Sequence, residues 1–121
     1  MEFEKNTAKQ LSEDFAVRII KLYKYLSNSC REYDLFRQLL RSGTSIAANL
    51  FEAECAISKK DFASKVYISL KETSETQYWL RILHRAGYLS KKEFDSIYAD
   101  AVVIRRILTA TTKTLLSQES K

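Results

Sequence analysis

The chain contains no proline, two glycines and one histidine in 121 residues. Without proline, and almost without glycine, it lacks the residues that punctuate sheets and long loops, so an all-helical chain is the reading that remains. Long apolar runs are missing too. No such run follows Met1 and none approaches the ~18 residues of a membrane span, so neither a signal peptide nor a membrane contact is expected. Cysteine is limited to Cys30 and Cys55. On antiparallel helices these would lie at opposite ends, roughly 30 Å apart at 1.5 Å per residue, beyond the reach of a disulfide. Reduced thiols in structural positions, in a cytoplasmic protein, are expected.

The scarcity of histidine also limits chemistry. His84 alone cannot build a multi-histidine metal site, and the Glu-x-x-His repeats of di-iron bundles do not occur. A phosphate-cradling glycine loop and a G-x-S-x-G elbow are likewise missing. Glu52, Glu72 and Glu75 could form a carboxylate cluster, but partners such as Arg41 and nearby serines are at hand. No catalytic residue, metal or cofactor is expected, and the protein is read as a non-enzyme.

What is present is helical periodicity. Ser12, followed by Glu13 and Asp14, reads as the start of a first helix over about 12–30, with Phe15, Ile19, Leu22 and Leu26 as its apolar stripe. A second helix over about 34–57 carries Phe36, Leu39, Gly43, Ile46, Leu50, Ala53 and Ile57 at unbroken 3-4 spacing. Ser58-Lys-Lys-Asp-Phe62 and Ser90-Lys-Lys-Glu-Phe94 each offer a serine cap with an acid three residues on. They open helices over about 59–86, stopped by Gly87, and about 91–117, with the stripe Phe94, Ile97, Ala101, Ile104, Leu108, Thr111 and Leu115. One domain spanning residues 1–121 is predicted: an up-down-up-down antiparallel four-helix bundle.

The second helix is unusual, with no charge from Ser42 to Phe51. Beside the seam it shows Ala47, Ala48, Phe51 and Cys55, where a surface helix would carry Lys or Glu. Ala48, Phe51 and Cys55 are therefore candidates for a homo-oligomer interface; the alternative is an exposed face of small residues. Gln38, Ser42, Ser45, Asn49 and Glu52 form a polar stripe answered on the third helix by Ser69, Glu72, Thr73, Glu75, Thr76 and Gln77. An antiparallel register puts Gly43 level with Thr73, where it would let the backbones approach, and Arg41 level with Glu75 as an ion pair.

The net charge is +5. Residues 1–57 sum to zero, whereas residues 58–121 hold twelve Lys or Arg against seven Asp or Glu. Lys21, Lys24, Lys65, Arg81, Arg85, Arg105, Arg106 and Lys113 are the candidate nucleic-acid contacts, strongest if repeated around an oligomer. Tyr23, Tyr25 and Tyr98 are read as packing residues. No base-reading motif occurs, so shape or charge recognition is what the chain supports.

Gln38-Leu-Leu-Arg-Ser-Gly-Thr-Ser-Ile46, then Asn49 and Glu52, Asp61-Phe62, Lys71-Glu-Thr-Ser-Glu75 and Tyr78-Trp-Leu80 closely resemble the 23S rRNA intervening-sequence proteins. The resemblance covers about residues 12–116. It implies a bacterial cytoplasmic protein, a left-handed antiparallel bundle and a homopentameric ring. That family is also similar to the accessory variability determinant of diversity-generating retroelements, a basic pentamer that binds nucleic acid and a reverse transcriptase. Gln38, Arg41, Ser42, Gly43, Ser45, Asn49, Glu52, Glu72, Glu75 and Trp79 match the signature, and the bottom-up reading makes most of them structural. Two functions follow: an oligomer that binds RNA or DNA, RNA preferred, as adaptor or chaperone, or an oligomeric scaffold for a protein partner. A continuous basic face favours the first and scattered charge the second.

Overall fold

In the computed structural model of the protein, α1 spans Glu2–Ser29, α2 Tyr33–Ala53, α3 Lys59–Arg85 and α4 Lys91–Glu119. The backbone of residues 2–119 and the side chains of residues 7–118 are described, and among the described residues there is no strand. The helices pack in a closed cycle: α1 on α2, α2 on α3, α3 on α4 and α4 on α1. The all-α four-helix bundle expected from the missing proline and the 3-4 periodicity is the fold observed. Phe15 and Ile19 of α1, Phe36, Leu39 and Ile46 of α2, Leu80 and Leu83 of α3, and Ile104 and Leu108 of α4 meet in one buried cluster. Fully burying side chains of this size is favourable by about 1.5–3 kcal/mol each, the force that draws the four stripes together.

The helix ends follow the capping chemistry. The Ser90 hydroxyl accepts from the Glu93 amide at 3.1 Å while Glu93 accepts from the Ser90 amide at 2.8 Å, a complete capping box. These backbone and hydroxyl bonds hold the Glu93 carboxyl below its ordinary pKa. At α3, Ser58 accepts from the Asp61 amide at 3.0 Å, but Asp61 reaches back to the amide of Ile57 rather than that of Ser58. Gly87 closes α3 with a left-handed φ of 90°. The amides of Gly87 and Tyr88 return to the carbonyls of His84 and Leu83, a Schellman closure.

Three sequence expectations need correction. α1 does not begin at Ser12, because residues from Glu2 onward are already helical. Ser12 is fully buried and, with Ala8 before it and Phe15 after it, continues the seam as a small residue rather than a cap. α2 ends at Ala53, not Ile57. Its last amides turn back three residues instead of four, and Asp61 holds the Ile57 amide at 3.2 Å in the cap of α3. Ile57 therefore leaves the predicted seam and is 94% exposed. Cys55 likewise lies beyond the end of α2 and is exposed, not in a buried structural position.

Gly43 is buried as predicted, but the helix it admits is α1, not α3. A Cβ at this position would sit 2.8 Å from both γ carbons of Ile19 and 3.2 Å from its Cβ. Those atoms lie next to the α1 backbone, so they cannot swing aside like the tip of a long chain. The glycine sets how closely α1 and α2 approach.

Gly43→Ala is therefore expected to destabilise the protein. Overpacking costs about 1–3 kcal/mol, which outweighs a helix-propensity gain of about 1 kcal/mol. With Ile19→Ala already in place, the same change should stabilise, since only the propensity gain remains. Chemical denaturation of both pairs measures this. A Gly43→Ala protein more stable than wild type would disprove the close approach.

Candidate nucleic-acid interface

The site is built from the contact of α2 with α3. Ser69 donates its hydroxyl to the backbone carbonyl of Ile46 at 2.8 Å, and Thr76 donates to the Ser42 hydroxyl at 3.0 Å. Ser42, Ser69, Thr73 and Thr76 are fully buried. A buried hydroxyl must find a partner or cost about 1–3 kcal/mol, so these bonds select one register. Arg41 reaches across the same contact, pairing with Glu75 and lying 3.6 Å from Glu72. The pairing with Glu75 holds the guanidinium above its ordinary pKa. The register predicted from the sequence, Arg41 level with Glu75, is the one observed.

From Glu75 the network turns outward. The Trp79 indole N–H donates to the Glu75 carboxylate at 3.1 Å, and Tyr78 meets Trp79 edge to face with centroids 5.0 Å apart. Of the remaining signature residues, Ser45 donates to the Arg41 carbonyl and Asn49 to the Ser45 carbonyl within α2. Gln38 is exposed. Glu52 pairs with Lys65 at 2.9 Å.

The outer surface between α3 and α4 is a groove in two joined sections. One, about 340 Å³, lies among Tyr78, Arg81, Arg85, Tyr98 and Arg105. The other, about 560 Å³, lies among Arg105, Arg106, Thr109 and Lys113. Gln77 and Arg105 wall both sections, joined by an Arg105 Nη1 to Gln77 Oε1 bond of 3.0 Å. From Tyr98 to Lys113 the α4 wall runs roughly 22 Å at 1.5 Å per residue. Among the described residues no carboxylate pairs with Arg81, Arg85, Arg105, Arg106 or Lys113. Unpaired cations along one groove raise a positive potential that focuses on its floor.

The other three candidate cations stand apart from this groove. Lys65 is held by Glu52, which raises its pKa through their hydrogen bond. Lys21 and Lys24 are exposed on α1, whose backbone lies against α2 and α4 rather than α3. The oligomer candidates divide as well. Ala48 is exposed, and Phe51 is 56% exposed with the Lys9 ammonium 4.3 Å from its ring centroid. Ala47, placed outside the seam from the sequence, is buried within the chain.

Gln77 and Tyr78 had no role in the sequence-based site. Their signal was present in the spacing: Tyr78, Arg81 and Arg85 share one helical face at 3-4 steps. Tyr98 does pack, as predicted, against Phe94 at 4.8 Å, and it also lines the groove. Phe94 in turn stacks on His84 at 4.7 Å, and His84 Nδ1 donates to the Leu89 carbonyl at 3.0 Å. The lone histidine is thus tied to structure. Among the described residues no group of His, Cys, Asp or Glu could hold a metal, and no helix is long and apolar enough to cross a membrane.

Residues 4–110 match the family described as 23S rRNA-intervening sequence protein. Among solved structures, the chain is similar to a protein of unknown function from the S23 ribosomal protein family of Bacteroides thetaiotaomicron. The two are 45% identical, with a TM-score of 0.88 over 91% of this chain and 98% of that one. No curated protein matches the sequence.

If the Arg41 network fixes the α2–α3 contact, Arg41→Leu should destabilise by roughly 1–3 kcal/mol, because it strips the charge partner from a buried Glu72 oxygen. Adding Glu72→Gln should recover part of that loss, since a neutral amide needs no countercharge. A denaturation double-mutant cycle checks the coupling. Equal stability of Arg41→Leu and wild type would remove the pair from the account.

Proposed function

This chain belongs to the 23S rRNA-intervening sequence protein family, and from that membership and its charged groove we propose a non-enzymatic, oligomeric nucleic-acid-binding protein. It acts in the cytoplasm as an adaptor or chaperone, with RNA preferred over DNA. The observation that carries this reading is the α3/α4 groove, where five cations gather and, among the described residues, none has a carboxylate partner. Phosphate groups displace condensed counterions when they meet such a surface, and that release drives binding. Because the groove offers charge and shape but no base-reading pattern, little sequence preference is expected.

The proposed assembly is a homopentamer of up-down-up-down bundles, which would repeat the groove around a ring. Its support is the apolar surface that each chain leaves uncovered at Ala48 and Phe51. An oligomeric scaffold for a protein partner is the second reading, favoured by the 94% exposure of Ile57 just beyond the end of α2.

Binding should fall steeply with salt, with a log–log slope of about −0.7 per phosphate neutralised on a single strand and −0.9 on duplex DNA. Changing Arg105, Arg106 and Lys113 together to Glu should abolish binding while the helices and the oligomer persist. Gel shifts across a salt series, with circular dichroism and light scattering as controls, test this. No binding at low salt, or equal binding by both proteins, would favour the scaffold reading.

For assembly, Phe51→Glu should shift the particle toward monomer by placing a charge in the interface. Light scattering at micromolar concentration measures it. A wild-type protein already monomeric under those conditions would overturn the oligomer.

A further inference from the structure

The groove is more than a strip of charge, because each wall sets one aromatic ring beside its cations. On α3 the order is Tyr78, Arg81, Arg85, and on α4 it is Tyr98, Arg105, Arg106. Tyr78 is 53% exposed, an unusual placement for a ring so firmly held. Trp79 fixes it edge to face at 5.0 Å, and Trp79 is itself bonded to Glu75. Tyr98 is the last ring of the stack that starts at His84 and passes through Phe94. Both tyrosines are therefore preorganised before any ligand arrives, which removes part of the ordering cost of binding.

A double helix cannot use these rings, because its base faces are already covered by neighbouring bases. A single strand can, since each of its bases offers a flat face that stacks regardless of sequence. The section between Tyr78 and Tyr98 holds about 340 Å³, within the size range of pockets that enclose small planar ligands. Arg81, Arg85 and Arg105 surround it, so phosphates flanking an inserted base would meet guanidinium groups.

We infer that the α3/α4 groove binds single-stranded nucleic acid, with bases stacked on Tyr78 and Tyr98 and the backbone along Arg81, Arg85, Arg105, Arg106 and Lys113. This rests on the nucleic-acid reading of the same groove and adds the strand state that it selects. Tyr78 is a contact residue here, whereas Trp79 and Glu75 position it.

The test is fluorescence anisotropy of the full-length protein at low salt with an unstructured RNA strand, the same sequence as DNA, and each annealed to its complement. Single strands should bind at least about tenfold tighter than duplexes, the equivalent of one stacked base. Tyr78→Ala should weaken single-strand binding by about 5- to 150-fold, while Tyr78→Phe, which keeps the ring, should bind like wild type. Tyr78→Trp should bind single strands with quenching of its fluorescence, a stacking signature that charge contact alone does not produce. Tyr78 lies on the surface, so these variants are expected to fold; circular dichroism verifies it. Equal affinity for duplex and single strand, with no effect of Tyr78→Ala, would overturn the stacking inference and leave the charged groove standing. Failure to bind either form at low salt would overturn both.

Discussion

The hydroxyl of Ser69, donating to the carbonyl of Ile46 at 2.8 Å, fixes where α3 lies along α2. Other features inherit their positions from that contact. A shift of one residue would part Ser42 from Thr76, leaving each hydroxyl only the carbonyl of its own helix, and would take the buried Ser69 hydroxyl off the Ile46 carbonyl. The same register brings Glu75 to Arg41, Glu75 holds Trp79, and Trp79 holds Tyr78 at the mouth of the groove. A polar seam thus does what an apolar one could not. Leucines slide past one another at little cost, whereas hydroxyls facing specific carbonyls do not. This demand, together with the approach of α1 at Gly43, explains the lack of charge at the buried positions of the run, Ser42, Gly43, Ile46, Ala47 and Leu50.

The two long contacts of α2 use opposite means. Toward α1 it presents a missing side chain, so that Ile19 packs where a Cβ would stand. Toward α3 it presents the Ile46 carbonyl and the Ser42 hydroxyl, which accept from Ser69 and Thr76. Both need small residues, and this is why one helix can meet two neighbours so closely. Its more polar residues, Gln38, Asn49 and Glu52, are left to the flanks of these contacts.

Much of this was legible in the sequence, and the losses have identifiable causes. Periodicity located the four helices and most of the seam, because apolar residues at 3-4 spacing have few other uses. The register set from the α2–α3 turn correctly paired Arg41 with Glu75. The facing of Gly43 did not, since a position level with Thr73 can still point to a different neighbour, and spacing alone does not separate two adjacent seams. Ser12 misled because serine is both a good cap and a good small core residue, and only burial distinguishes the two. Ile57 fitted the apolar stripe, yet the cap of α3 claimed its amide. The groove was hidden for a further reason: its walls come from helices whose residues lie far apart in sequence, so Tyr78 and Tyr98 had no visible relation.

Charge shows how such a groove is kept open. Carboxylates are present in number, but the fold places them elsewhere: Glu54 with Lys9, Asp100 with Arg18, Glu52 with Lys65, and Glu72 and Glu75 with Arg41. Most of these pairs are partly exposed, and each contributes little to stability, about 0–1 kcal/mol. Their larger consequence is one of distribution. By balancing charge at the α1–α2, α1–α4 and α2–α3 contacts, they engage these acids away from the α3/α4 groove, where among the described residues no acid pairs with its cations. The cations of the α3/α4 groove repel one another, an interaction that salt screens beyond a Debye length of about 8 Å at physiological ionic strength. That repulsion is tolerated because the groove is open to solvent. It is also the feature a polyanion would relieve, and so the polar contacts that fix the bundle and the unpaired cations that mark its surface are parts of a single arrangement of charge.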